Sequence, residues 1–396
     1  MKVQIMKLSR YNWCVLLATT ITQMCAALST QGFGVLAGFL QHDFALSNSE
    51  VGLLASTLNI APIFGLFLIG RILDYAGERL LILLGMLVIG ISTMLMSFAN
   101  HYWILLITLF FCGIGYSPIQ PGGSKAIYTW FSPSQRGFAM GFRQAAIPLG
   151  GALSAIVFPY IIHYSNWRYA VIFSSIFVFI SGVFFFYIYN NSSLPVVTKR
   201  KSSFKNISKL FLHKQFRRIS MIGIVLVTIQ TFILIFWMLF IHHRFSIPLI
   251  SCAWYLFAIQ VFGTLGRTIL STWGSFIEDG YRRIIFLIII MLSIILITIL
   301  YLPNSTNHFI LMFVSCVLGF FSFGWYGPWI VWLSESSNSQ NIGTTLSIGM
   351  ALNQIAIVIT PILFGRILDV TRGYLVSWIC IIILASIVLI KELFHI

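Results

Sequence analysis

The chain has 396 residues, of which 59% are hydrophobic and 8% are charged, and its formal net charge is +15 at pH 7. A soluble globular protein carries about 25% charged residues, so most of this surface cannot face water. The basic residues stand in short segments between apolar runs without any nucleic-acid-binding motif, which indicates a membrane protein and argues against a nucleic-acid partner.

The N-terminal segment carries Lys2, Lys7 and Arg10 and is followed by an apolar run that continues to about residue 40. A cleaved signal peptide has an apolar region of only roughly 7–15 residues, so we interpret this run as a retained first span with its N-terminus inside the cell. The first half of the chain contains six apolar runs long enough to cross a bilayer as helices: 13–39, 50–70, 80–98, 103–128, 137–160 and 168–189.

Arg143 is the cation placed deepest within a predicted span, about six residues or ~9 Å inside span five. A charge at this depth faces a cavity or a partner, unless its side chain reaches back to the near interface. Seven other side chains within the spans are candidate substrate contacts: Gln144, Asn59, Gln120, Gln230, Asn353, Gln354 and Trp325. Each of the amides could instead form a hydrogen bond between helices, and the tryptophan could instead face lipid.

The stretch 190–218 divides the chain, because it is hydrophilic and carries eight Lys and Arg residues but no acid. We expect a cytoplasmic linker that joins a first half, 1–189, to a second half, 219–396, and that contacts anionic lipid. Six further apolar runs follow: 219–241, 250–271, 284–302, 308–333, 342–364 and 374–391. The predicted fold is therefore an all-α membrane protein with twelve transmembrane helices in two pseudo-symmetric bundles of six.

An internal repeat supports the two halves. The loop after span two contains Gly70, Asp74, Gly77 and Arg79, and the loop after span eight contains Gly274, Glu278, Arg282 and Arg283, at an offset of 204 residues from Gly70 to Gly274. A third segment, Gly365-Arg-Ile-Leu-Asp369, has a similar sequence, but its expected position on the outer side indicates a helix-ending turn.

The first of these loops resembles the signature of the major facilitator superfamily, in which Gly, Asp, Gly and a basic residue recur between helices two and three. The chain departs from it at Tyr75 and Glu78, and the second copy has Tyr281 where a glycine is expected. The resemblance implies an alternating-access transporter in which both loops act in gating and Asp74 holds the outward-facing state. Arg136, in a loop similar to the one between helices four and five of such transporters, would be a further gating residue.

The interior of the predicted spans contains a basic residue, Arg143, but no acidic residue, since all nine Asp and Glu residues fall at span ends or in loops. An organic cation would require a buried carboxylate, so the pattern favours an anionic substrate. We therefore expect uptake of a small organic anion, and the resemblance adds coupling to protons. The alternative is efflux of a drug or metabolite by proton antiport, because Gly and Pro residues in span five resemble those of antiporters.

No catalytic motif is present, and the six cysteines lie in apolar segments without metal-ligand spacing. We accordingly expect no enzyme activity, no metal and no cofactor. The expected protein is a monomeric, multi-pass protein of the inner membrane, and its partners are a small-molecule substrate, membrane lipid and possible protons.

The charge distribution predicts the topology. With both termini in the cytoplasm, 20 of the 24 Lys and Arg residues lie on the inner side and 4 on the outer side, as the positive-inside rule requires. Reporter fusions should place residue 205 in the cytoplasm and residues 45 and 305 outside. A fusion at residue 205 that is active only in the periplasm would contradict this topology.

Overall fold

The computed structural model describes residues 10–131, 133–190, 213–336 and 342–393, and within these ranges it describes the side chains except at 64–76, 128, 133–138, 342–344, 347 and 393. The described residues are helical apart from short turns, which fits an apolar chain whose backbone groups must find their hydrogen bonds within each segment. The helices of the first half are α1 (Arg10–Gln31), α2 (Phe33–Asp43), α3 (Asn48–Met96), α4 (Tyr102–Tyr116), α5 (Ile119–Trp130), α6 (Pro133–Tyr164) and α7 (Trp167–Ile188).

The helices of the second half are α8 (Lys214–Phe245), α9 (Leu249–Gly274), α10 (Gly280–Tyr301), α11 (His308–Gly324), α12 (Tyr326–Glu335), α13 (Ile342–Thr371) and α14 (Leu375–Leu393). Eleven segments of the described residues are long and apolar enough to cross a membrane, and each coincides with one of the predicted spans. The remaining predicted span, 50–70, falls in the first part of α3. The predicted helical membrane fold is thus confirmed.

Helix α3 contains two predicted spans in one run of 49 residues. Its helical geometry is interrupted at Gly77, where φ is 74° and ψ is 165°. This left-handed conformation is open to glycine because no Cβ clashes with the backbone. The glycine of the first loop signature therefore has a local structural role, since it separates the helix of span two from the helix of span three.

Two compact units make up the chain: residues 1–33 with 57–197, and residues 34–56 with 198–396. The segment 34–56 therefore packs with the helices of the second half. Within that second unit, the hydroxyl of Ser56 donates to the carbonyl of Val358 at 2.6 Å. A Cβ on Gly52 would lie 2.1 Å from the carbonyl oxygen of Pro361, so the two backbones are in direct contact.

The internal repeat is visible in the helix packing. In the first unit α1 packs on α6, and in the second unit α8 packs on α13. Glycine contacts repeat in the same way: a Cβ on Gly113 would lie 2.2 Å from the Leu58 carbonyl, and a Cβ on Gly319 would lie 2.4 Å from the Ile259 carbonyl. Small residues allow such close approach, which is how helices associate in lipid.

Replacing Gly113 tests this contact. Gly113→Ala should destabilise the protein by about 1–3 kcal/mol, because the new methyl group requires α3 and α4 to move apart. Gly141→Ala is the matched control, since no atom lies within 4 Å of its added Cβ. Thermal unfolding of the detergent-purified variants should show a lower midpoint for Gly113→Ala alone, and equal midpoints would contradict the packing.

Candidate functional site

Arg143 on α6 is completely buried, with 0% of its surface exposed. Its Nη2 donates to the side-chain oxygen of Gln23 at 2.7 Å and to the backbone carbonyl of Ile119 at 2.8 Å. Its Nη1 makes longer hydrogen bonds to Gln120 Oε1, at 3.4 Å, and to Ser124 Oγ, at 3.3 Å. The guanidinium is therefore held by α1 and α5, and of the predicted polar residues only Gln120 joins it.

Two residues shape this site without having been predicted. Gln23 is also fully buried, and its amide nitrogen donates to the hydroxyl of Tyr116 at 2.9 Å, which turns its oxygen toward Arg143. Gly123 leaves the space in which the guanidinium lies, because a Cβ there would be 2.4 Å from Arg143 Nε. An amide in the middle of an apolar run was the available signal for Gln23.

The charge of Arg143 has no ionic partner in the described part of the chain. Its hydrogen-bond partners among the described residues are amides, a hydroxyl and carbonyl oxygens, and its Nε is buried without an acceptor there. Burying a cation is costly unless an opposite charge compensates it, so neutral dipoles stabilise it only in part. The guanidinium is therefore a buried cation held by neutral groups among the described residues.

The first loop signature is only partly described. Gly70 and Asp74 are helical residues of α3. The side chains of Asp74 and Arg136 are not among those that the structure describes. Arg79 donates to the carbonyl of Phe186 at 2.6 Å and stands 4.2 Å from the centre of its ring. Neighbouring Glu78 is buried and forms an ion pair with Lys125 at 3.2 Å, which accounts for an acid at this departure from the family pattern.

The second copy of the loop is a turn rather than a kink. Helix α9 ends at Gly274, Asp279 takes the left-handed conformation with φ 51°, and α10 begins at Gly280. A Cβ on Gly280 would lie 2.1 Å from the carbonyl oxygen of Gly274, so this glycine supplies the close contact expected one position later, at Tyr281. Two of the predicted gating side chains, Glu278 and Arg283, are exposed, and Arg282 is half-buried.

Two of the predicted residues of the second half are brought together, because the indole N–H of Trp325 donates to the side-chain oxygen of Gln230 at 2.9 Å. Asn353 is buried, and neither atom of its amide has a hydrogen-bond partner among the described residues. The structure leaves the other predicted polar residues half-buried on their helices and outside the Arg143 network: Asn59, Gln144 and Gln354.

Asp369, near the end of α13, caps the beginning of α3. One carboxylate oxygen accepts from the backbone N–H and the side-chain amide of Asn48, at 2.8 and 2.9 Å. The other accepts from the backbone N–H of Ser49 at 2.8 Å and from the Ser49 hydroxyl. A carboxylate is stabilised at a helix N-terminus by the unpaired N–H groups and by the helix dipole. The segment Gly365–Asp369, predicted as a helix-ending turn, thus makes a contact between distant helices.

A helical membrane bundle with an internal repeat and with buried polar groups inside its spans has the architecture of a secondary transporter. The family model for the Major Facilitator Superfamily matches residues 19–361, and the chain belongs to this superfamily. Its fold is similar to those of two solved transporters. The nucleoside transporter NupG superposes with a TM-score of 0.80 at 12% identity, over 95% of this chain and 98% of that one. A D-xylose-proton symporter superposes with a TM-score of 0.78 at 16% identity, over 96% of this chain and 97% of that one.

Relatives found by sequence match shorter parts of this chain. An MFS-type transporter of Mycobacterium tuberculosis is 25% identical over 282 residues, which are 69% of this chain and 61% of the relative. The hexuronate transporter of Bacillus subtilis is 28% identical over 159 residues, 40% of this chain and 38% of the relative. A probable L-galactonate transporter of Escherichia coli is 30% identical over 129 residues, 33% of this chain and 28% of the relative. The chain therefore matches less than two thirds of the length of each of these relatives.

The Asp369 cap can be tested by local exchange. Asp369→Asn removes the charge and one acceptor oxygen, so the N–H groups of Asn48 and Ser49 should exchange with solvent at least about tenfold faster. Hydrogen–deuterium exchange of the purified protein measures this directly. Asp279→Asn, a change at an exposed acid, should leave the same peptide unaffected, and unchanged exchange in Asp369→Asn would show that the carboxylate does not hold the helix.

Proposed function

We propose that this transporter takes up a small organic anion together with protons, and that Arg143 binds the anionic group. The single observation that carries this proposal is the fully buried guanidinium, whose described partners are all neutral. A guanidinium can grip a carboxylate with two parallel hydrogen bonds. Because the side chain is bonded to α1 and α5, its position favours a binding role over reaching back to the lipid interface.

The partners of Arg143 are suited to exchange with a substrate. The guanidinium is held by neutral side-chain dipoles, those of Gln23, Gln120 and Ser124. Its hydrogen bonds to Ser124 and Gln120, at 3.3 and 3.4 Å, are long and therefore weak. A carboxylate brings a full charge, which a neutral acceptor lacks, and charge-assisted hydrogen bonds are roughly twice as strong as neutral ones. Binding then exchanges weak contacts for strong ones at the same atoms.

The relatives support an anionic substrate. Two of them are named as transporters of hexuronate and of L-galactonate, and both of these compounds are sugar acids that carry a carboxylate. Their identities to this chain are low and their coverage is partial, so the support extends to the class of substrate, a small organic acid, and not to one compound.

Proton coupling follows from the direction of transport. Uptake of an anion into a cell with a negative interior is opposed by about 2.3 kcal/mol per charge at 100 mV. A proton that moves with each anion cancels this electrical term, and a further proton adds driving force. The alternative function, efflux of a drug or metabolite by proton antiport, predicts the opposite response, because an inward proton gradient would then drive the substrate out of the vesicle or cell.

Gating is proposed for the two loop signatures. Alternating access requires two conformations that the substrate stabilises unequally. In the first loop, Asp74 is the proposed acid that stabilises the outward-facing state, and Gly77 and the Glu78–Lys125 pair set the geometry of the turn. The proposed counterpart in the second half consists of Gly274, Glu278, Arg282 and Arg283.

Substitutions of Arg143 test the binding role. In proteoliposomes supplied with labelled hexuronate and galactonate, with and without an inward proton gradient, the parent should accumulate at least one of the two. Arg143→Lys keeps the charge but loses the planar fork, so it should weaken binding about tenfold, and Arg143→Ala should weaken it about a hundredfold or more. Arg366→Ala, at an exposed arginine of α13, is the control and should transport like the parent.

Three results would contradict parts of the proposal. If Arg143→Ala is well folded and binds the anion as the parent does, the substrate site lies elsewhere. If Arg143→Lys is fully active and Arg143→Ala merely fails to insert, the arginine has only a structural role. Accumulation of the anion without any response to the proton gradient would refute the coupling and leave the substrate class intact.

A further inference from the structure

A cavity of about 840 Å³ lies in the second unit, where α8, α10 and α13 end and α14 begins. Cavities of roughly 300–1,000 Å³ are typical of small-molecule sites. Its polar lining includes Arg244, Arg372 and Tyr374 together with Asp369, and its aromatic lining includes Trp378. None of these residues contributes to the Arg143 network, which belongs to the first unit.

The cavity attracts negative charge. Neither Arg244 nor Arg372 forms an ion pair within the described residues, and Arg244 Nη2 donates to the carbonyl of Leu302 at 3.4 Å. Asp369 is the one carboxylate of the lining, and its two oxygens already accept four hydrogen bonds at the start of α3. The positive end of that helix dipole further offsets its charge, so the lining carries a net positive charge from two arginines that are exposed to solvent.

Arg372 has an unusual backbone for an arginine. Its φ is 51°, in the left-handed region, where a residue with a Cβ costs about 1–2 kcal/mol. A residue in this conformation commonly ends a helix, and glycine commonly takes the position. Here the glycine stands one position later, at Gly373, and an arginine occupies the strained one. This left-handed arginine is part of the cavity lining.

Two hydrogen-bond donors of the lining are buried and have no partner among the described residues: the Tyr374 hydroxyl and the indole N–H of Trp378. Burial raises the pKa of the Tyr374 phenol, so the hydroxyl keeps its proton and remains a donor. A buried donor without an acceptor costs about 1–3 kcal/mol. Phe240 packs edge-on against both rings, at 5.4 Å from Tyr374 and 5.0 Å from Trp378, and adds an apolar wall.

We infer that this cavity binds an anion that carries a carboxylate or a phosphate group, as a second anion site that is independent of Arg143. Two guanidinium groups supply the charge, the Tyr374 hydroxyl and the Trp378 N–H supply donors that an acceptor-rich group satisfies, and the rings accommodate an apolar body. A free solute and the headgroup of an acidic lipid present the same chemistry, and the experiment separates these two sources.

The probes are sodium benzoate and inorganic phosphate, with sodium chloride at equal ionic strength as the reference. Binding is measured by isothermal titration and by the shift of the thermal midpoint, on full-length protein in lipid-free micelles. A second arm uses nanodiscs of phosphatidylcholine alone or with phosphatidylglycerol. The whole series carries Arg143→Ala, so that a failure of the proposed transport site does not change the readout.

Three variants separate binding from stability. Arg372→Gly removes the cation and relieves the left-handed backbone, so the free protein should be at least as stable while probe affinity falls about tenfold. Tyr374→Phe removes only the unpartnered hydroxyl, so the free protein should again be no less stable and the affinity should fall several-fold. Arg366→Gln, at an exposed arginine of α13 outside the lining, is the control with unchanged affinity.

A saturable shift with benzoate or phosphate that Arg372→Gly and Tyr374→Phe reduce would support a site for a free anion. A shift that appears only with phosphatidylglycerol and is reduced by the same variants would support a lipid headgroup as the source of the anion. The inference is overturned if no probe or lipid stabilises the protein, or if the stabilisation is equal in Arg372→Gly, Tyr374→Phe and Arg366→Gln.

Discussion

Close backbone contact between helices is the constraint on which the other features of this chain depend. Lipid is as apolar as the helices themselves, so no hydrophobic force draws one span to another, and association relies on tight packing. Glycines allow it at Gly113 against Leu58, and at Gly150, where a Cβ would lie 2.5 Å from the Met24 carbonyl. Glycine also makes room for polar groups, because the guanidinium of Arg143 occupies the space that a side chain at position 123 would fill.

The helices hold their cations in two ways. Arg218, at the start of α8, forms a two-pronged ion pair with Glu392 near the end of α14, and Lys125 pairs with Glu78. Arg143 is surrounded instead by amides and carbonyls. A carboxylate partner would neutralise the guanidinium permanently, whereas neutral dipoles keep its charge available. This contrast separates two cations that join helices through carboxylates from one cation that neutral groups hold.

The helical spans could be predicted from the sequence because the length and apolar character of a run decide whether it crosses a bilayer. The repeat and the special conformation of Gly77 were also accessible, because glycine spacing reports on the backbone directly. The partners of the charged residues were not. Gln23 and Arg143 are 120 positions apart, and Asn48 and Asp369 are 321 apart, so no local pattern encodes either contact. Only the packing of whole helices brings such residues together.

The Asp369 cap has a consequence for the biogenesis of the protein. The start of α3 is made early in synthesis, whereas the carboxylate that caps it belongs to the last helix but one. Until α13 has left the ribosome, the first N–H groups of α3 must be satisfied by water, by lipid headgroups or by a chaperone. For most of translation the beginning of α3 therefore has only its local contacts between Ser47 and Glu50, and the contact with Asp369 is among the last that the chain can form.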